Sequence, residues 1–533
     1  MTAFDAHAME AARQAMQIRL DGRRTAADRN RLGQFATPHA LAIQIAACVR
    51  ALWDIHGGCV RFADPSIGTG SFFSAALAVF GKDRIESAIG VELDPAFCDA
   101  ARTLWGEAGL QVVTGDFTRV VANGSLPRRA NLILANPPYV RHHHLDRDDK
   151  ERLQRLVHEL TGVEVNGLAG LYVYFLLLAT SWMEDGGVAA WLIPSEFMDV
   201  NYGAALKRFL CDRVTLFRIH RFDPDDLQFG DAFVSSAILL FRKTPPASDH
   251  AVEFTFGGTV ADPKSSAMIP LDRLRESRKW TTHPKDANND RHTSDDGAGP
   301  TLADFFHIQR GIATGCNKFF VLDRADATRR GLPKRCLRPI LPSPRNLKAT
   351  VIQADADGYP RLDPQLCAID CDLPESVVEE KHPALWKYLQ TARALGIRDG
   401  YLVGKRIPWY KQEKREPAPF LCTYMGRGAG DRRPFRFIWN RSEAVATNLY
   451  LMLYPKKGMA TMLRRHPARG GDVLGLLAQV TGHELRGEGR VYGGGLHKIE
   501  PSELGRVGAA ALVKRWPELA ASVQREKMVG LFG

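Results

Sequence analysis

The sequence predicts an α/β protein, with a doubly wound, mostly parallel sheet in its first half and a separate, basic domain in its second. Three observations carry this. Short apolar runs alternate with helical patterns between residues 59 and 242, as they do where strands are buried between two layers of helices. After Trp280 comes "TTHPKDANNDRHTSDDGAG", which lacks apolar periodicity and is rich in Asn, Asp, Gly, Ser and Thr, the composition of a linker or long surface loop. The charge also changes sign there: residues 1–300 hold 33 Lys and Arg against 37 Asp and Glu, and residues 301–533 hold 38 against 23.

The strands follow in order. "CVRFA" (59–63), "AIGVEL" (88–93), "LQVVTG" (110–115) and "NLILA" (131–135) are short apolar runs closed by Gly, Asp or Asn. "VAAWLI" (188–193), "TLFRIHRF" (215–222) and "SAILLFR" (236–242) complete a set of seven. Helices fit between them at 70–80, 95–106, 170–184 and 203–211. No internal repeat is present. The domains expected are 1–285, a linker at 286–300, and 301–533. In such a sheet ligands gather outside the carboxyl ends of the strands, so the residues just after each strand matter most.

A chain of 533 residues suits two or three domains, and 45% hydrophobic content with mixed charge is ordinary for a globular protein. Asp5 and Glu10 interrupt the start where a signal peptide needs an apolar core, and no run of 18 apolar residues occurs. A cytoplasmic protein without a membrane segment is expected. The nine cysteines form no Cys-x-x-Cys pair, and Cys367 and Cys371 lack the second ligand pair of a zinc site, so reduced, mostly buried thiols are expected. The basic second half is the composition of a polyanion-binding module.

The chemistry lies at the strand ends. After the first strand, "ADPSIGTGSFF" places Asp64, Pro65, Ser66, Gly68 and Gly70 ahead of a helix. Glycines there let a backbone approach a ligand, and the helix start supplies free N–H groups. The spacing is neither Gly-x-Gly-x-x-Gly nor a phosphate loop, which sets aside both nucleotide-phosphate readings. Glu92 ends the second strand, where a carboxylate can accept from ribose hydroxyls. After the third, Asp116 is placed to accept from an exocyclic amine and Phe117 to face a purine. Singly, such acids are more often helix caps. In order, a ribose grip and an adenine grip without a phosphate grip describe S-adenosylmethionine.

The fourth strand ends in "NPPY". An amino nitrogen conjugated to a ring is a poor nucleophile until acceptors draw out its hydrogens. Asn136 and the Pro137 carbonyl can be those acceptors, with Pro137 and Pro138 fixing the backbone and Tyr139 offering a face for stacking.

"DPSIGTGSF", "GVELD", "GDF" and "NPPY" resemble motifs I to IV of the amino-DNA methyltransferases of restriction–modification systems, and "LGQFATP" (32–38) resembles motif X. Cofactor motifs first, catalytic motif next and recognition region last is the gamma order of TaqI-like adenine-N6 enzymes. The resemblance implies a Rossmann-like class I methyltransferase domain with a seven-stranded, mostly parallel sheet, then a mixed α/β target-recognition domain. It is softer in "RGIATGCNKFFVL" (310–322), "VATNLYLMLYP" (445–455) and "GGGLHKIEPSEL" (493–504). It implies that Gln34, Phe35, Thr37 and Pro38 line the methionine side of S-adenosylmethionine, with Asp64 and Gly68 beside it. Glu92 then takes the ribose, and Asp116 and Phe117 the cofactor adenine. Asn136, Pro137, Pro138 and Tyr139 would hold the target base, and Phe229 would cover its other face. Double-stranded DNA is the partner implied, and a cognate restriction endonuclease the second that such systems admit.

The target nitrogen lies inside a duplex, so the base must be extruded, at a few kcal/mol. No metal is required. Three consecutive histidines, His142–His144, cannot all face one ion, and suit a phosphate contact or a plain surface loop. "DLPESVVEEKHP" (372–383) has a nuclease-like composition but falls in the recognition region. The rival readings are methylation of RNA or of a protein glutamine, and a catalytically idle DNA-binding subunit.

Overall fold

The computed structural model describes residues 6–521, except 54–57, 122–128, 224–225, 227, 229–234, 285–298, 428–433, 481–484, 486–488 and 493–495. All seven apolar runs form strands: β1 (Val60–Asp64), β2 (Ile85–Glu92), β3 (Leu110–Thr114), β4 (Ala130–Ala135), β5 (Met183–Pro194), β6 (Thr215–Arg221) and β7 (Ser236–Arg242). Two more, β8 (Ala251–Gly258) and β9 (Pro263–Pro270), extend the sheet to nine in the order β3-β2-β1-β4-β5-β7-β6-β8-β9. β1 to β5 pair in parallel. β7 runs antiparallel between β5 and β6, β8 pairs in parallel with β6, and β9 closes the edge antiparallel. β9, "PKSSAMIP", escaped the sequence reading because it opens on polar residues and is bounded by prolines, whereas β8, "AVEFTFGG", alternates apolar with polar residues as a half-buried strand does. An edge hairpin lacks the continuous apolar run of a central strand.

Ten helices are used below: α1 (Ala6–Asp21), α2 (Ala26–Leu32), α3 (His39–Trp53), α4 (Ser71–Phe80), α5 (Pro95–Trp105), α6 (Phe117–Val120), α7 (Arg147–Thr161), α8 (Leu171–Ala179), α9 (Ala204–Asp212) and α10 (Leu271–Glu276). The strand pleat divides them into two layers. Leu132 and Leu134 of β4 share a core with Ile45 and Val49 of α3 and Phe72 and Phe73 of α4. Ile133 and Ala135 face the opposite way, into a core with Phe175 and Leu176 of α8 and Leu206 of α9. All six residues of β4 are buried, so the NPPY segment leaves from the middle of the sheet.

The chain divides into two compact units, Met1–Thr293 with Tyr492–Gly494, and Ser294–Val491 with Gly495–Gly533. The polar stretch after Trp280 does not begin as open loop. Trp280 is fully buried, with its indole N–H donating to the Leu274 carbonyl at 3.0 Å, and the Thr281 hydroxyl bonds Asp199 at 2.6 Å. Most of the expected linker, 286–298, lies outside the described residues.

The second unit is built on β10 (Phe306–Arg310), β11 (Val321–Asp323), β12 (Leu337–Ile340), β13 (Val351–Gln353), β14 (Leu366–Ile369), β15 (Phe420–Thr423), β16 (Met425–Arg427), β17 (Phe437–Arg441), β18 (Tyr450–Pro455), β19 (Arg490–Tyr492) and β20 (Leu496–Lys498). They form a five-stranded sheet, β10-β18-β15-β17-β13, and two three-stranded ones, β11-β14-β12 and β16-β20-β19. Two of the softer sequence segments meet here: Ile312 donates to the Ala446 carbonyl at 2.9 Å, and Asn448 donates back to Ile312 at 2.9 Å. Among the described residues no helix is long and apolar enough to cross a membrane.

Candidate active site

Parallel pairing aligns the carboxyl ends of β1, β2, β3 and β4. At the first, Asp64 is 2% exposed and accepts from the Ser66 amide at 2.9 Å and its hydroxyl at 3.4 Å. Burial pushes this carboxyl up to about 8, against the Ser66 hydrogen bonds and with a small contribution from Glu92. Pro65 is buried in the turn. The Ser66 hydroxyl donates to the Asn136 carbonyl at 3.0 Å, tying this turn to the NPPY segment.

The two glycines of the turn do different work. Gly68 has φ +55 and open space where a Cβ would stand, as a ligand-facing backbone requires. Gly70, expected to allow a ligand close, is instead covered by protein. A Cβ there would lie 2.4 Å from the Trp105 indole nitrogen, which donates to the Thr69 carbonyl at 2.8 Å.

Glu92 accepts from the Gly68 amide at 3.1 Å and the Asp94 amide at 2.9 Å. Burial raises its pKa and these two amides oppose the rise. Two amides leave acceptor capacity on the carboxylate, which can take about four hydrogen bonds. Asp116 caps α6, accepting from the Thr118 amide at 2.9 Å and hydroxyl at 2.8 Å through one oxygen. The other lies 3.6 Å from Arg119. Phe117 corrects the expectation of an open purine platform. It is 2% exposed, packed against Phe175 at 5.1 Å and Trp182 at 5.0 Å between ring centres, so the ring is enclosed in the core.

Motif X is fastened to motif IV by hydrogen bonds. Asn136 donates through its side-chain nitrogen to the Phe35 carbonyl at 2.8 Å and the Thr37 hydroxyl at 3.1 Å. Tyr139 donates its amide to Gly33 at 3.0 Å, and the Ser71 hydroxyl donates to the Thr37 carbonyl at 2.9 Å. The Gln34 side chain accepts from Arg24, which also pairs with Asp94. Pro38 accepts the first amide bond of α3, from Ala42 at 3.0 Å. With both amide hydrogens committed, the orientation of Asn136 is fixed. Its side-chain oxygen is buried and has no partner. Pro137 is buried beside it.

Tyr139 is also less open than expected. It is buried, its hydroxyl donates to the Leu192 carbonyl at 3.1 Å, and its ring meets Phe35 at 5.5 Å, tilted by 53°. The face expected for stacking is not held out to solvent. Phe229 lies outside the described residues.

One cluster was missed by the sequence reading. Arg13 of α1, buried, pairs bidentately with buried Glu10 at 2.7 and 2.8 Å and donates to the Thr69 hydroxyl at 3.1 Å. That hydroxyl donates to Gln17 at 2.7 Å, and Ser74 donates to Glu10 at 2.6 Å. α1 is thereby locked onto the motif I turn. The available signal was a Glu and an Arg three apart in a helix otherwise rich in Ala and Met.

Residues 127–228 match the family model of the Eco57I restriction-modification methylase, and residues 278–528 match that of the C-terminal domain of the type II methyltransferase M.Eco57I. These matches and the relatives of the chain support a DNA methyltransferase of the restriction–modification type. Among its relatives is the type II methyltransferase M.XamI of Xanthomonas campestris pv. amaranthicola, 29% identical over 86% of this chain and 81% of that one. M.AccI of Acinetobacter calcoaceticus is 23% identical over 90% and 85%. The solved type IIG restriction endonuclease BpuSI is 15% identical with a TM-score of 0.43, covering 92% of this chain, which spans 60% of that one.

The methyl donor of such an enzyme is S-adenosylmethionine. The residues fit it: open space over Gly68 and spare acceptor capacity on Glu92.

Proposed function

We propose that this chain methylates the N6 amino group of an adenine extruded from duplex DNA at a specific sequence, as a gamma-order, TaqI-like enzyme. One observation carries the reading: the Asn136 oxygen is a buried acceptor without a donor, held in place by two hydrogen bonds from its own nitrogen. Leaving such a group unpaired costs about 1–3 kcal/mol, which an incoming amine relieves. Asn136 takes one amine hydrogen and the Pro137 carbonyl the other. Together they draw the nitrogen lone pair out of conjugation with the ring.

S-adenosylmethionine supplies an electrophilic methyl group on a sulfonium. Glu92 accepts from its ribose hydroxyls, and the Gly68 turn admits it without a side chain in the way. The target nitrogen forms its new bond to carbon as the carbon–sulfur bond breaks, and its extra proton passes to solvent. The gain comes from orientation and from the two fixed acceptors. Tyr139 supplies the stacking surface for the extruded base, which requires the half-buried Phe35 ring to give way to it. Residues 301–533, with all of the positive excess, bind and read the DNA.

The test is incubation of the protein with methyl-labelled S-adenosylmethionine and, separately, duplex DNA, RNA and a glutamine-containing peptide. The label should appear in DNA as N6-methyladenine. Label in RNA, in the peptide, or in DNA at cytosine refutes the assignment.

A further inference from the structure

The second unit carries an apolar projection that the site above does not use. Leu395, Tyr401, Leu402 and Ile407 lie within thirteen residues and are 66, 74, 45 and 92% exposed. Single exposed apolar residues are ordinary, but four so close together are not. The projection is built rather than frayed. Val403, between these residues, is 1% exposed in a core with Phe319, Phe320 and Trp409. Arg406 donates to the Thr314 carbonyl at 2.9 Å, and the Arg398 guanidinium stacks over Trp409 at 5.3 Å. Lys405 donates to the Tyr401 hydroxyl at 2.7 Å and lies over its ring at 4.0 Å, which fixes the aromatic in its outward position.

Charge identifies the occupant. Residues 393–415 hold seven Lys and Arg against two Asp and Glu. A second copy meeting this surface about a two-fold axis would bring the same cations against themselves. A polyanion with an apolar interior meets both features, and duplex DNA is such a partner. We propose that Tyr401 and Ile407 form a wedge that enters the base stack of bound DNA while exposed cations of the same segment, Arg393 and Lys414 among them, hold the phosphates. Apolar side chains inserted between base steps unstack them and kink the duplex, and an aromatic can stack on an exposed base. The wedge rests on the reading of residues 301–533 as the DNA-recognition region.

The experiment uses the full chain and a short duplex with fluorophores at both ends, containing the sequence that modification-sensitive sequencing shows the protein to methylate. Ile407→Ser and the double variant Tyr401→Ala/Ile407→Ser are compared with the parent. Because these side chains are exposed, the thermal midpoint should stay put. DNA affinity should fall roughly ten-fold in the double variant, and end-to-end energy transfer should fall as the duplex straightens. The slope of affinity against salt should hold, since no phosphate contact is removed. A double variant that binds and bends DNA like the parent overturns the wedge and leaves the methyltransferase reading intact. A parent chain that neither binds nor methylates DNA overturns both. If the parent sediments as a dimer that the variants dissolve, with DNA bending unchanged, the patch covers a second copy and the wedge is wrong.

Discussion

In the proposed mechanism the chemistry turns on Asn136, whose nitrogen is tied to Phe35 and Thr37 while its buried oxygen has no partner. Asn136→Ala should bind S-adenosylmethionine with unchanged affinity by calorimetry and lose at least about 10²-fold in single-turnover methylation, the scale seen when one preorganised polar contact is removed elsewhere. Glu92→Ala should do the reverse in binding, weakening cofactor affinity as the ribose loses its acceptor. Asp64 makes a different prediction. Its folded pKa of about 8 stands above its ordinary 3.8, so between those values the folded chain holds a proton that the unfolded chain has released, and stability falls as pH rises through that window. Asp64→Asn should therefore leave the thermal midpoint nearly unchanged at pH 4 and raise it relative to the parent at pH 9. A gap that does not widen with pH removes the buried carboxyl from this role. The order of Asp64, Glu92, Asp116 and Asn136 was legible in the sequence because strand-end positions follow from strand pattern. The closed surroundings of Phe117, Tyr139 and Gly70 were not, because they depend on Trp182, Phe35 and Trp105 arriving from elsewhere in the chain.

Elements carry these residues into register, and two of them are locked by contacts that a single atom would break. Gly33 ends α2 at φ +64, and a Cβ there would stand 2.3 Å from the Tyr139 amide nitrogen. Gly33→Ala should cost on the order of 1–3 kcal/mol in backbone strain alone and depress methylation further by pushing motif X off motif IV; native activity in that variant contradicts the coupling. α1 tests the second lock. Glu10→Ala leaves the Arg13 guanidinium buried without its carboxylate, which should destabilise the chain by about 3–5 kcal/mol in urea unfolding. Helices with an apolar face and strands with continuous apolar runs could be read from the sequence. α1 could not, since its buried side carries Glu10 and Arg13, and neither could β9, whose "PKSSAMIP" has the polar, Pro-bounded composition of a loop.

At the scale of the whole molecule, the proposed division of work between the two units follows the sign of charge. Every cofactor motif precedes residue 120 and every surplus cation follows residue 300. DNA binding by the full chain should weaken steeply with salt as counterions cease to be released. A chain ending near Pro284, once shown to be folded, should keep S-adenosylmethionine and lose sequence-selective DNA binding; retained selectivity at equal salt refutes the assignment of residues 301–533. The most direct test of the central claim reads the product in the genome. DNA from cells expressing the protein, or its Asn136→Ala variant, is sequenced by a method that distinguishes modified bases. The account predicts N6-methyladenine at one recurring sequence with the parent and none with the variant. Unmodified adenine with the parent, or equal modification with the variant, would contradict it.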